Sequence, residues 1–277
     1  MLGKLMKHEF RATGRIMLPL LGAELLLSVL AGLSIRGLDR IENMNFLGMT
    51  YILTLSVFFL GLFALAVVAF VLMIQRFYRN LLRDEGYLAM TLPVSVDEQI
   101  WSKLLVSFVW FLAVGVLSMV TMVILVTLGA RMNFLQAVFS QENLEMLREA
   151  VTIIGGGNVF LFTLECIVLG FLGVCATCLR CYSALAIGHS AADHKLLLSF
   201  VAYFVIGMAL SLLGNALSFG VLPNLDIDRL LMNVDTLEGG LRFAHGSMWV
   251  GVALSLLYSA IFYFVTRYFL KNKLNLA

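Results

Sequence analysis

Six apolar runs decide what this chain can fold into. They are roughly Ile16–Ile35, Thr50–Ile74, Leu104–Gly129, Asn158–Leu179, Leu196–Leu222 and Met248–Phe269. A helix rises 1.5 Å per residue, so about 20 apolar residues cross a hydrocarbon core of about 30 Å. Each run meets that length, and the second, third and fifth exceed it enough to tilt or extend past the lipid. Only 13% of residues are charged against 61% hydrophobic, whereas a soluble domain carries about a quarter charged residues. The expected fold is an all-α integral membrane protein of six transmembrane helices.

Lys and Arg divide unevenly between the loops. Thirteen fall on the side of the termini and the second and fourth loops: Lys4, Lys7, Arg11, Arg15, Arg76, Arg79, Arg83, Lys103, Arg180, Lys195, Arg267, Lys271 and Lys273. Six fall on the other: Arg36, Arg40, Arg131, Arg148, Arg229 and Arg242. The positive-inside bias puts both termini in the cytosol, as expected of a multi-pass protein of the cell inner membrane. Tyr78, Tyr87, Trp101, Tyr182, Trp249 and Tyr268 stand near span ends, where interfacial anchors are expected. The net charge of +2 gives no reason to expect a nucleic-acid partner.

Before the first run, residues 1–15 place Leu2, Leu5, Met6 and Phe10 on one helical face and Lys4, Lys7, His8, Arg11 and Arg15 on the rest. This pattern predicts an interfacial amphipathic helix against anionic lipid, ahead of a transmembrane domain over 16–277. It serves either as an anchor or as a lever contacting a cytosolic partner. The following apolar run is too long for a signal-peptide core and reads as an uncleaved first span. In the loop between the third and fourth runs, Phe134, Leu135, Val138 and Phe139 repeat at helical spacing. Glu142–Ala150 follows as a second short element, and Gly155, Gly156 and Gly157 break the chain.

The most informative stretch is the loop 75–103, QRFYRNLLRDEGYLAMTLPVSVDEQIWSK. The second span is expected to continue as helix through Arg83, and Gly86 can supply a left-handed end. Tyr87–Leu92 is then a short, mostly apolar element. Pro93 stops it and pushes Leu92 out of helical geometry. Ser95 with Glu98 forms a capping box that starts the next helix. An apolar element at such a tip is covered either by the protein's own core or by another protein.

Asp84-Glu85-Gly86, Leu92-Pro93-Val94-Ser95 and Lys103 resemble the corresponding loop of ABC-2 type transporter permease subunits. The topology of the whole chain is similar to theirs, although the long loop between the third and fourth spans departs from the simplest family pattern. The resemblance implies that Glu85, Gly86, Tyr87, Leu88, Met90, Leu92, Pro93, Val94 and Ser95 form a short cytosolic coupling helix and its flanks. It implies a separate ABC ATPase subunit that binds ATP and Mg, with no cofactor in this chain. It also implies a second six-helix permease, identical or related. The chain itself has no Gly-x4-Gly-Lys-Ser/Thr loop. The expected function is then ATP-driven export. A signalling or immunity subunit linked to an ATPase and an integral-membrane enzyme are the alternatives.

Other constellations point less far. Cys175, Cys178 and Cys181 form C-x-x-C-x-x-C without the fourth ligand and trailing Pro of an iron–sulfur run. With Gly170 and Gly173 they read as small residues at a helix–helix contact. No metal site and no catalytic motif is expected. His189 and His194 read as solvated loop residues. Glu24 and Glu165 lie inside spans, where an ionisable side chain is costly and is a candidate for function. With Asn215 they are expected to form either helix–helix contacts or the polar lining of a translocation path or subunit interface.

Overall fold

A computed structural model describes residues 2–38, 46–82, 91, 93–129, 139–191, 193–216 and 236–272. Among these, seven helices follow in order: α1 (Leu2–Leu38), α2 (Phe46–Leu82), α3 (Val96–Gly129), α4 (Gln141–Ile154), α5 (Gly156–Gly188), α6 (Lys195–Ala216) and α7 (Leu237–Asn272). Six of them, all but α4, are long and apolar enough to cross a membrane. Their apolar windows have mean hydropathy of 1.9 to 3.0, yet no window is more than 28% buried within the chain. Apolar surface left uncovered on that scale requires hydrocarbon around it, so the chain is an all-α membrane protein.

Several helices outrun the apolar windows that define them. α1, α2 and α7 have 37, 37 and 36 residues, about 55 Å each at 1.5 Å per residue. Helix ends are decided by caps rather than by where hydrophobicity fades. Ser95 accepts from the Glu98 amide, and the Glu98 carboxylate accepts from the Ser95 amide, each at 3.2 Å. This is the reciprocal capping box expected from sequence. Ser140 caps α4 through the Asn143 amide, and Thr236 caps α7 through the Gly239 amide. The Thr236 cap starts α7 eleven residues before the apolar run at Met248. Gly155, at φ 86°, is the break between α4 and α5, and Gly156 and Gly157 are already helical.

The helices divide into two units, Met1–Met73 with Leu105–Glu149, and Ile74–Leu104 with Ala150–Ala277. In the first unit Met17 of α1, Leu65, Ala69, Leu72 and Met73 of α2, and Val106, Trp110 and Val114 of α3 form one buried cluster. The Trp110 indole N–H, costly to bury without a partner, donates to the Thr13 hydroxyl at 2.8 Å. The amphipathic segment 1–15 is not a separate helix: α1 runs unbroken from Leu2, through Pro19, to Leu38. Met6 and Phe10 pack against this cluster. Part of the apolar face expected to meet lipid is thus turned onto protein.

Small residues let the helices approach closely. A Cβ on Gly32 of α1 would stand 2.8 Å from the Leu128 Cβ of α3, and one on Gly37 would meet the Tyr51 ring of α2. In the second unit α5 packs against both α6 and α7. Gly188, the last residue of α5, lies against the backbone of Ser199 in α6, where a Cβ would come within 2.6 Å of the Ser199 Cα. Backbone cannot yield as a flexible side chain can. Gly188→Ala is therefore expected to destabilise the detergent-solubilised protein by ~1–3 kcal/mol. Gly173→Ala, with nothing within 4 Å of the added methyl, should leave the thermal midpoint unchanged or slightly raised. Equal midpoints for the two variants would contradict the close contact.

Candidate functional site

Two polar arrangements stand out, one mounting the loop 75–103 and one inside the helices of the second unit. The loop is entered along α2 and left along α3, and the boundary between units runs through both helices. Residues 74–82 of α2 and 96–104 of α3 belong with α5, α6 and α7.

Four residues of α2 and α3 hold these arms. Phe77 is fully buried and stacks face to face on Tyr182 of α5, with centroids 3.9 Å apart and planes 6° off parallel. Tyr78 meets the His189 ring edge-on at 5.2 Å. On the other arm Asp97 accepts from the Tyr263 hydroxyl at 2.5 Å and from Arg267 Nε at 3.0 Å, both on α7. Trp101 lies 6.2 Å from the Tyr263 ring. The Asp97–Arg267 pair is partly exposed and contributes at most about 1 kcal/mol by itself. The shared carboxylate adds geometry: Tyr263 and Arg267 are four residues apart, on one face of α7, and both converge on the first turn of α3.

Two sequence readings change here. Tyr182, expected as an interfacial anchor, is fully buried, because the face of α5 that carries it receives the Phe77 ring. His189, expected as a solvated loop residue, is 3% exposed. Its Nδ1 lies 3.1 Å from the Leu185 carbonyl oxygen. Burial pushes the imidazole below its ordinary value of 6.5, outweighing the Leu185 bond, which acts the other way, and Lys195 adds a smaller downward push. His194 is exposed as expected and takes a left-handed φ of 54° at the start of α6. Of the coupling residues, Glu85, Gly86, Tyr87, Leu88, Met90 and Leu92 lie outside the described residues. Pro93 and Ser95 are exposed and Val94 is half-buried.

The second arrangement joins α5 to α7. Glu165 is 4% exposed, and its Oε2 lies 2.8 Å from His245 Nδ1. Phe162, one turn before Glu165, stacks on the same imidazole at 3.9 Å and 21°. The other ring nitrogen, Nε2, is buried without a hydrogen-bond partner. The carboxylate fixes the ring's orientation, Phe162 covers its face, and Nε2 is left as the free polar atom. Glu24, in the first unit, is built differently. It is 3% exposed and its carboxyl lies over Gly61 of α2, in space a Cβ would fill. Its Oε1 has no hydrogen-bond partner. Asn215 is exposed on α6. The three residues grouped from sequence therefore form no single site within either unit.

Sequence reasoning found Glu165 and missed His245, 80 residues away and outside the apolar run. It also missed Asp97, Tyr263 and Arg267. The available signals were an acid beside the capping box and an i, i+4 Tyr–Arg pair. Cys175, Cys178 and Cys181 are free thiols buried on α5, and Cys166 is exposed. No protein-family model, curated protein or solved structure matches the chain.

If the Glu165–His245 contact couples α5 to α7, single Gln substitutions at either position should each lower stability by ~1–3 kcal/mol. The double variant should lose less than their sum, with a coupling of ~0.5–2 kcal/mol in a double-mutant cycle. Strict additivity would remove the contact. At His189, the folded state binds a proton less readily than the unfolded chain. Its contribution to stability is thus complete above about pH 6.5 and is lost as pH falls below it. Denaturation followed from pH 7.5 to 5 should show this loss in the parent protein and a flatter profile in His189→Gln.

Proposed function

We propose that the chain is the membrane-spanning permease subunit of an ATP-driven exporter of the ABC-2 type. It would lie in the inner membrane with both termini in the cytosol. A separate ATPase subunit would bind ATP and Mg, and a second six-helix permease, identical or related, would complete the path.

The observation that carries this reading is the mounting of the loop. A coupling element must receive a push and pass it to helices without absorbing it. Ser95 and Glu98 start α3 with a closed capping box, which gives the arm a defined origin. Asp97, in the first turn of that helix, then meets Tyr263 and Arg267, and the opposite arm stacks Phe77 on Tyr182. Displacement of Tyr87–Ser95 by a cytosolic partner would therefore move α5 and α7 as the arms move. Asp84–Gly86 and Leu92–Ser95, which resemble the family's loop, lie in sequence between these two anchored arms, which is where a partner would have to bind. The cargo would meet polar groups at Glu165–His245 and Glu24, both inside apolar helices.

A membrane-embedded enzyme is the second reading, favoured by one observation. A carboxylate orienting a half-buried imidazole is an arrangement used in general base catalysis. Among the described residues no cluster able to hold a metal ion stands beside it.

Tyr87→Asp separates the readings. A charge placed in a protein contact and left unpaired there costs several kcal/mol, enough to weaken an ordinary association by orders of magnitude. The expected outcome is a protein made and inserted normally that no longer retains an ATPase subunit in mild detergent. Thr54→Asp, inside α2, should instead impair insertion. An intact complex and intact transport in the Tyr87→Asp protein would remove the coupling role.

A further inference from the structure

Arg180 carries a charge that no acid among the described residues answers. It lies eight residues before the end of α5 and reaches across to α6, where its guanidinium covers the Tyr203 ring at 4.2 Å from the centroid. One long bond, 3.5 Å, runs from Nη2 to the Tyr203 carbonyl oxygen. An arginine has five N–H donors and no acceptor, and here Nε is buried without a partner. Among the described residues no carboxylate pairs with Arg180. Gly207, one turn beyond Tyr203, leaves the guanidinium its room: a Cβ there would run into Nη2. The aromatic face compensates part of the cost of placing this cation between apolar helices, and the remaining donors call for an anion.

The neighbouring ridge of α6 is apolar. Phe200, Val201, Phe204, Val205 and Met208 line an open groove. Phe200 and Phe204 stand three residues from Tyr203 and Gly207, and are therefore their neighbours on the helix surface. A planar donor fork beside an apolar groove matches a phosphodiester attached to an acyl chain. We propose that Arg180, with Tyr203 and Gly207, binds the phosphate of an anionic phospholipid whose acyl chain lies along the Phe200–Met208 groove. This rests on the membrane fold alone and not on the exporter reading.

The test uses the full chain in a neutral detergent, with lipid retention read by native mass spectrometry and thermal midpoints read in parallel. The probes are phosphatidylglycerol, phosphatidylcholine with the same acyl chains, and inorganic phosphate. The parent protein should retain phosphatidylglycerol about fivefold better than phosphatidylcholine, the ratio corresponding to one well-placed basic residue. Arg180→Gln should abolish that preference. Gly207→Ala, which displaces the guanidinium while keeping its charge, should reduce it and serves if Arg180→Gln does not fold. Inorganic phosphate alone should not raise the midpoint. Equal retention of the two lipids by the parent, or a preference surviving in both variants, would overturn the site. A midpoint raised by inorganic phosphate in the parent and not in Arg180→Gln would overturn the lipid as its ligand and make the site one for a soluble anion.

Discussion

Inside hydrocarbon, a backbone amide or carbonyl has no water to turn to and must be satisfied within its own segment. Most of this molecule follows from that constraint. It leaves the helix as the workable form for each of the six apolar runs. It also makes every polar side chain inside them conspicuous. Most of these side chains resolve the problem locally. Thr54, Ser118, Thr127, Thr163 and Thr177 each return a hydroxyl to the carbonyl four residues back. Such bonds satisfy the hydroxyl without a partner helix and carry no information about packing.

The exceptions are the side chains that reach another helix, and they organise the two units. In the first, Trp110 finds Thr13, which pins α1 to α3 beside the buried cluster. In the second, Glu165 finds His245, Arg180 finds Tyr203, and Asp97 finds Tyr263 and Arg267. Each of these joins α5, or the start of α3, to another helix of the same unit. Where hydrophobic surface gives no net drive between helices, because lipid is as apolar as leucine, such contacts and close-packed glycines decide which helices meet. Gly188 against Ser199 and Gly32 against Leu128 belong to the same account.

The two arms of the loop 75–103 show how these contacts hold helix ends against segments distant in the chain. The arms are continuous with helices whose remaining length lies in the first unit, yet the arms themselves are held by α5 and α7. Phe77 on Tyr182 supplies area and a fixed plane, and Asp97 with Tyr263 and Arg267 supplies direction. A partly exposed ion pair would add little to stability, so the value of Asp97 lies in orienting the first turn of α3. The same division of labour appears at Glu165, where the carboxylate orients His245 and Phe162 supplies the cover.

What the sequence determined by itself was one-dimensional and local. The count of apolar helices, the Ser95–Glu98 box, the break near Gly155 and the cost of burying Glu24 and Glu165 all depend on residues within a few positions of each other. Composition and spacing report such features directly. The joining of amphipathic segment and first span into one α1 was less legible, because the polarity change after Arg15 looks like a boundary while the helix runs on through it and through Pro19. The partners of the polar residues were left to the tertiary structure. His245 lies outside its apolar run and 80 residues from Glu165, and nothing in either segment encodes the other. From their neighbours Tyr182 looks like an interfacial anchor and His189 like a solvated loop residue, yet both are buried, and α2 brings Phe77 and Tyr78 against them. Helix periodicity says which face a residue occupies, but the identity of what meets that face is decided by packing between segments distant in the chain.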